Sequence, residues 1–400
     1  MNDLYAALEI GTTRTVLAIG EVKNDGRLTI TCHSEIASTG IRKSQILDIN
    51  QATQSIRAVL QQLEKKQAAE GAKVILGNIF LAVSGQHIKA DPFVGTVQVE
   101  GSSVSNDDIN DVIAAAHSMT LPKDRELLDI IDQDYALDSF GGVSDPRGMS
   151  GRVLRLNTLQ IHADHDRLQD ARKAAEGAHL EITDPLFAAS CAADAVLEDY
   201  ERKNGVIVLD LGGGSTGYSI YSDDYIISAG VIGVGGDHIT NDIANAFKTT
   251  NAQAESIKTN DGSAIIRPNG TLSDRVKVEQ GDIPLMDNRT ISRRSLDIVV
   301  NARLKELFTV IRDTLEDQGL LRRLHGVVLT GGGARMDGIE QLAEQVLGIS
   351  ARIGKPINVD GLENEEFPAE FAAVAGCLMY AQRNYEDPSL FGDFFKRIFK

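Results

Sequence analysis

At 400 residues the chain is too long for one small core, and it predicts two or three domains. Its apolar content of 42% is ordinary for a globular protein, and a formal charge of −17 argues against a nucleic-acid partner. Cys32, Cys191 and Cys377 fit neither a disulfide framework nor a CxxC metal site, and no basic-plus-apolar leader or long apolar run appears, so a soluble cytosolic protein is expected.

Strand-like and helix-like stretches alternate, which predicts an α/β fold. The chain opens with "LYAALEIGTTRTVLAIGEV", two strands joined by a turn of small residues. An amphipathic helix ("NQATQSIRAVLQQLEKKQ") and a buried strand ("VILGNIFLAVSG") follow. Residues 84–160 read as a separate block, with a helix capped by Asn106 or Asp107 and the alternating strand "RVLRLNTLQIHA". "HDRLQDARKAAEGA" and "PLFAASCAADAVLEDYE" read as helices, the second with Asp184 as N-cap and Pro185 at its first position. "GVIVLDLGGGSTGYSIYSDDYIISAGV" repeats the opening design as strand, glycine turn, strand, polar turn, strand. After short strands and loops over 260–290 come a long helix ("SLDIVVNARLKELFTVIRDTLEDQG") and a strand, triple glycine and helix ("GVVLTGGGARMDGIEQLAEQVLG"). "FPAEFAAVAGCLMYAQ" is a last apolar helix before the polar "QRNYEDPS".

"LEIGTTRTVLAIGE" and "LDLGGGSTGYSIYSD" share the order apolar, acid, apolar, glycine, small, small, which predicts two related halves facing a cleft. Small residues let backbone N–H groups approach phosphate closely. Glu9 and Asp210, at the strand ends, would repel phosphate, so the pattern asks for a cation between them; Mg²⁺ suits two carboxylates plus phosphate. Gly212, Gly214 and Gly217 also spell GxGxxG, but a hairpin follows where a dinucleotide fold needs a helix. His87, His162, His165 and His179 lack metal-ligand spacing, and Cys191 and Cys377 read as small buried residues of two crossing helices.

In this order the motifs resemble those of the actin-like ATPase superfamily. "LEIGTTRT" is similar to its phosphate-1 motif, "LDLGGGST" to phosphate-2 and "LTGGGARMDGI" to its adenosine motif. "LAVSGQHI", "MSGRVLRL" and the last residues extend the resemblance to the FtsA family of bacterial cell-division proteins. The resemblance implies a two-lobed fold with a nucleotide cleft. Residues 1–83, 161–197 and 368–383 would form the first lobe, 84–160 an inserted α+β subdomain, and 198–367 the second lobe. ATP and Mg²⁺ are the implied cofactors. Gly11, Thr12, Thr13, Arg14, Gly212, Gly213, Gly214 and Ser215 would meet the phosphates, and Glu9 and Asp210 the metal through water. Gly235, Gly236, Glu255, Lys258, Gly331, Gly332 and Gly333 would meet adenosine. Asp184 matches the position of a water-orienting catalytic acid in the superfamily, though helix capping explains it better, so at most slow hydrolysis is expected. The sequence departs from the motifs at Gly217, where a second Asp is common, and at Glu9, where Asp is usual.

Residues 390–400 form an amphipathic pattern after a linker at 384–389. On a helix, Leu390, Phe391, Phe394, Phe395, Ile398 and Phe399 cover one half, with Lys396, Arg397 and Lys400 on the other. Such a segment is too short to span a bilayer and suits an anionic membrane surface. The resemblance agrees, and it implies a filament of copies of the chain on the cytoplasmic face of the cell membrane at the division site. It further implies capture of the C-terminal peptide of the tubulin-like protein FtsZ, with Arg303 as the receiving arginine and Arg293, Arg294 and Lys305 adding charge. A PilM-like pilus-assembly protein and a small-molecule kinase of the superfamily are the rival readings.

Overall fold

The computed structural model describes residues 4–23, 27–69, 76, 78–118, 120–267, 274–278 and 289–385. The predicted membrane segment 390–400 lies outside the described residues, as does the predicted linker beyond residue 385.

The chain begins with β1 (Leu4–Ile10), β2 (Arg14–Val22) and β3 (Leu28–Ala37), antiparallel in sequence order. A two-residue hairpin, β4 (Ile41–Arg42) and β5 (Gln45–Ile46), leads to α1 (Ile49–Ala69). Asp48 accepts the Gln51 N–H at 3.1 Å and so starts α1. Ala52, Ile56, Val59 and Leu63 form the stripe that buries it. β6 (Asn78–Val83) then pairs parallel with β1.

The inserted block holds β7 (Lys89–Gln98), α2 (Asn106–His117), β8 (Arg125–Leu137), β9 (Phe140–Val143) and β10 (Val153–Asp164), its strands ordered β7-β10-β8-β9. Its own small core gathers Val104, Val112, Ala116, Leu137, Leu154 and Leu156. Ser105 caps α2, not Asn106 or Asp107: its Oγ accepts the Asp108 N–H at 3.2 Å, and Asp108 reaches back to the Ser105 N–H at 2.8 Å.

The chain returns through α3 (His165–Gly177), β11 (Ile182–Phe187), α4 (Ala188–Val196) and α5 (Asp199–Asn204). Asp184 and Pro185 lie inside β11, parallel to β6, and Phe187 is the N-cap of α4. Asp184 is therefore not a helix cap. β11 is the edge of its sheet, where a proline's missing N–H breaks no ladder bond.

β12 (Val206–Leu211), β13 (Thr216–Ser222) and β14 (Tyr225–Ile232) form a second antiparallel meander. α6 (Gly236–Phe247), α7 (Asn251–Asp261), β15 (Arg275–Lys277), β16 (Thr290–Ser292) and α8 (Arg293–Asp317) follow. β17 (Gly326–Thr330), α9 (Ile339–Leu347) and β18 (Ala351–Ile353) complete the second sheet, ordered β14-β13-β12-β17-β18. The first sheet runs β11-β6-β1-β2-β3 and ends in the short β19 (Val359–Asp360), so each has a meander on one side of its first strand and parallel strands on the other. β19 joins β3, so this stretch belongs to the first sheet and not to the second lobe predicted for 198–367. α10 (Ala372–Tyr385) ends the described chain and takes in the first two residues of the predicted linker.

α4 and α10, both rich in small residues, pack on each other within the larger core. A methyl group on Gly376 would run into the carbonyl of Cys191, so glycine sets how closely the helices approach. Cys191 and Cys377 are buried there as free thiols. At one end of the crossing Asp194 gathers Arg202 Nη1 and Tyr221 Oη, each at 2.9 Å, together with Arg383 of α10. The arginines hold its carboxyl below the usual range despite burial.

Candidate nucleotide site

β1 and β12 end in the same turn. Gly11 N–H donates to the Arg14 carbonyl at 3.0 Å, and Gly212 N–H to the Ser215 carbonyl at 3.0 Å. A Cβ at either glycine would stand within 2.9 Å of that accepting oxygen, so only glycine fits so tight a loop. The two turns meet: side chains on Gly213 and Gly214 would collide with the hydroxyls of Thr13 and Thr12. Gly235 packs on the second turn, where its Cβ would lie 2.5 Å from the Gly213 carbonyl, and the Gly236 N–H donates to the Gly212 carbonyl at 3.0 Å.

These turns form one wall of a cleft of about 930 Å³ lined from both sheets. Glu9, Gly11, Thr12, Thr13, Arg14, Asp210, Gly212, Gly213, Gly214 and Ser215 line it, as do Gly235, Gly236, Glu255, Lys258, Gly331, Gly332 and Gly333. Residues about two hundred positions apart are thus brought together as the sequence echo requires. Glu9 and Asp210 occupy equivalent registers, opposite Val16 and Gly217, one residue before each strand ends. Burial pushes the Glu9 carboxyl up to about 7, with Arg14 opposing and Asp210 reinforcing; burial pushes Asp210 up to about 6. The buried Oε2 of Glu9 has no hydrogen-bond partner. Two raised acids and an orphaned carboxylate oxygen fit a hydrated divalent cation, and three-carboxylate clusters of the kind that cage an ion alone are absent among the described residues. Gly217 packs against Ala189 of α4, where its Cβ would come within 2.7 Å, so the second Asp of the common motif has no room here.

On the second-lobe side, Lys258 Nζ reaches Glu255 Oε2 at 2.7 Å, Thr240 Oγ1 at 3.0 Å and the Gly236 carbonyl at 3.3 Å. Leu304, Leu307, Met336 and Ile339 add an apolar face beside this pair. Met336 and Ile339 fall inside the quoted adenosine motif without being singled out there, and the apolar stripe of α8 was the available signal for Leu304 and Leu307. "GGGAR" itself forms a short 3-10 turn, Gly332–Arg335, entered through Gly331 at φ +79°. A side chain at Gly331 would strike Asp210.

Three assignments change. The Arg14 guanidinium is held by Glu35 at 2.6 Å and Glu370 at 3.1 Å and stacks on Phe371, so it is neither a free phosphate cation nor solvent-facing. Arg303 lines the cleft, with Nε 2.6 Å from Asp242 and Nη1 2.6 Å from Glu306; two carboxylates already neutralise the arginine that the resemblance gives to an acidic peptide. Asp184 pairs in register with Phe80, three residues before the Val83–Phe187 pair at the cleft end of the sheet, about 10 Å away at strand spacing. It is not among the residues lining the cleft.

Two sheets of matching topology, each sending a glycine turn and a carboxylate into a shared cleft, define an actin-like fold. Solved structures share it. A PilM–PilN type IV pilus biogenesis complex superposes with a TM-score of 0.65 at 17% identity, covering 94% of this chain and 98% of that one. MreB5 of Spiroplasma citri bound to ADP gives 0.57 at 14% identity, covering 96% and 98%. The family model for cell division protein FtsA matches residues 207–376, and that for the SHS2 domain inserted in FtsA matches 85–162. Cell division protein FtsA of Pseudomonas aeruginosa is 32% identical over 386 residues, 96% of this chain and 90% of its own. That of Bacillus subtilis is 29% identical over 385 residues, 96% and 84%. The chain belongs to the FtsA family of bacterial cell-division proteins.

Proposed function

We propose that the chain binds ATP with Mg²⁺ between its two glycine turns and serves as a filament-forming adaptor that holds an FtsZ division ring to the cytoplasmic membrane. The observation that carries the nucleotide reading is the pair of equivalent turns with Glu9 and Asp210 behind them, one with an orphaned oxygen. Glu9 and Asp210 would hold the ion, which would supply the positive charge that lets phosphate approach two acids. The glycine amides would cradle phosphate, and Glu255 and Lys258 would meet the nucleoside. A fluorescent ATP analogue should bind the full chain with Mg²⁺ and much more weakly with EDTA. Gly213→Val, which forces a side chain into Thr13, should abolish binding; magnesium-independent binding, or none, would sink the reading.

The adaptor reading draws on family membership and on the amphipathic pattern of 390–400. Several weak tails linked in a filament would hold a membrane firmly through effective concentration. The full chain should sediment with anionic liposomes in the presence of ATP and Mg²⁺, and a truncation after Glu386 should stay in the supernatant. Since Arg303 is engaged in the cleft, we assign the FtsZ peptide to the exposed stripe of α8 formed by Arg294, Ile298 and Lys305. Charge reversal at Arg294 and Lys305 should remove that peptide's binding in a polarisation assay. Unchanged affinity would return the interaction to another surface.

A further inference from the structure

The cations that line the cleft are already engaged. Arg14 is paired with Glu35 and Glu370, Lys258 with Glu255, Arg267 with Asp297, Arg303 with Asp242 and Glu306, and Arg335 with Glu366. A polyphosphate carries more charge than one divalent ion cancels, and these side chains have little left to offer it.

The β4–β5 hairpin has a cation without such a partner. Its central residues, Lys43 and Ser44, both adopt left-handed backbone, at φ 51° and 57°. Two-residue hairpins of this kind are normally filled by Asn-Gly, because other residues are strained there. Strain held at two adjacent residues points to a use for their side chains. Ser44 is wedged between the glycine turns: its N–H donates to Thr12 Oγ1 at 2.8 Å, and its Oγ is 2.9 Å from Ser215 Oγ. A Cβ on Gly214 would lie 2.7 Å from Ser44 N and 2.9 Å from Lys43 Cα, so the hairpin tip sits directly on the second turn. Ser44 lines the cleft; Lys43, next to it, is exposed at the rim of this seam outside that lining and has no carboxylate partner among the described residues.

We infer that the Lys43–Ser44 turn is a third phosphate-contacting element, which distinguishes a nucleoside triphosphate from a diphosphate. The nucleoside-side residues Glu255, Lys258, Met336 and Ile339 all come from the second lobe. The hairpin belongs to the first and reaches the second at Gly214 and Ser215, so it meets the phosphate chain at the end farthest from the base. Lys43 pairs with the outermost phosphate, and Ser44, bonded to both turns, holds the hairpin where that pairing is made. This rests on the nucleotide reading above and deepens it.

The test is titration of the full chain with ATP and with ADP, each with Mg²⁺, for wild type, Lys43→Asn and Lys43→Arg. Asparagine tolerates the left-handed backbone, so the turn is kept while the cation is lost. Wild type should prefer ATP. Lys43→Asn should lose about tenfold in ATP affinity, as expected for one charge-assisted contact, with ADP affinity changed less than about twofold. Lys43→Arg should keep the wild-type preference. If Lys43→Asn binds ATP normally, or loses ATP and ADP alike, the turn does not read the outermost phosphate, and the nucleotide site stands without it. If wild type binds neither nucleotide, the underlying reading fails and this one with it.

Discussion

A carboxylate held like that of Glu9 is costly to keep ionised. Its folded pKa near 7 lies above its ordinary 4.5, so between those values the folded chain binds more protons than the unfolded one. Stability without a bound cation should therefore fall as pH rises from about 4.5 to about 7, and stay lowered above it, by roughly 3 kcal/mol. Glu9→Gln removes this charge. At pH 8 in EDTA the variant should resist urea better than wild type, while magnesium-dependent nucleotide binding is lost; equal urea midpoints would show that the carboxylate is not strained. Asp184 gives the opposite case. Lying about 10 Å up its strand from the cleft end, it should be dispensable for ATP turnover, and Asp184→Asn should keep both binding and hydrolysis within about twofold. A large loss of hydrolysis alone would restore it as a catalytic acid.

At the scale of elements, the glycine turns were legible because each follows an apolar strand with an acid at its end. β11 was not legible as a strand. Asp before Pro is a helix-start signature, and only the sheet order shows that Pro185 occupies an edge where its missing N–H does no harm. The side of α8 that Arg303 takes was hidden for a similar reason. The buried stripe Leu296, Val300, Leu304, Leu307 and Ile311 is readable, but the acid that claims the guanidinium, Asp242, comes from α6, sixty-one residues away. The α4–α10 crossing was readable as small residues, not as a distance. Gly376→Ala puts a methyl group into the Cys191 carbonyl and should lower the stability of the chain by about 1–3 kcal/mol in denaturant unfolding. A neutral outcome would mean that the helices separate more freely than their packing suggests.

Over the whole molecule, ligand and fold are linked through the cleft. Its walls come from both sheets, so a nucleotide bound there stabilises the closed pair relative to unfolded chain. At about 100 times its dissociation constant, ATP with Mg²⁺ should add about 2.7 kcal/mol, read as a rise in melting temperature. The rise should vanish in Glu9→Gln. A rise that persists in that variant would place the ligand elsewhere. The inserted block is tied to both lobes: it grows from the first, and Gln133 on β8 donates to the Ile226 carbonyl of β14 at 2.7 Å. Its strands β7, β8 and β10 all pack on β14, a seat that no local pattern in the sequence announces, because the partners lie about seventy to a hundred and thirty residues apart.

The cluster around Asp194 has a mechanical meaning. Arg383 stands two residues from the end of α10, and its partner sits on the helix that α10 crosses, next to Arg202 and the second-sheet residue Tyr221. Arg383 thus clips the last described turns of α10 to α4 and, through Tyr221, to the second sheet.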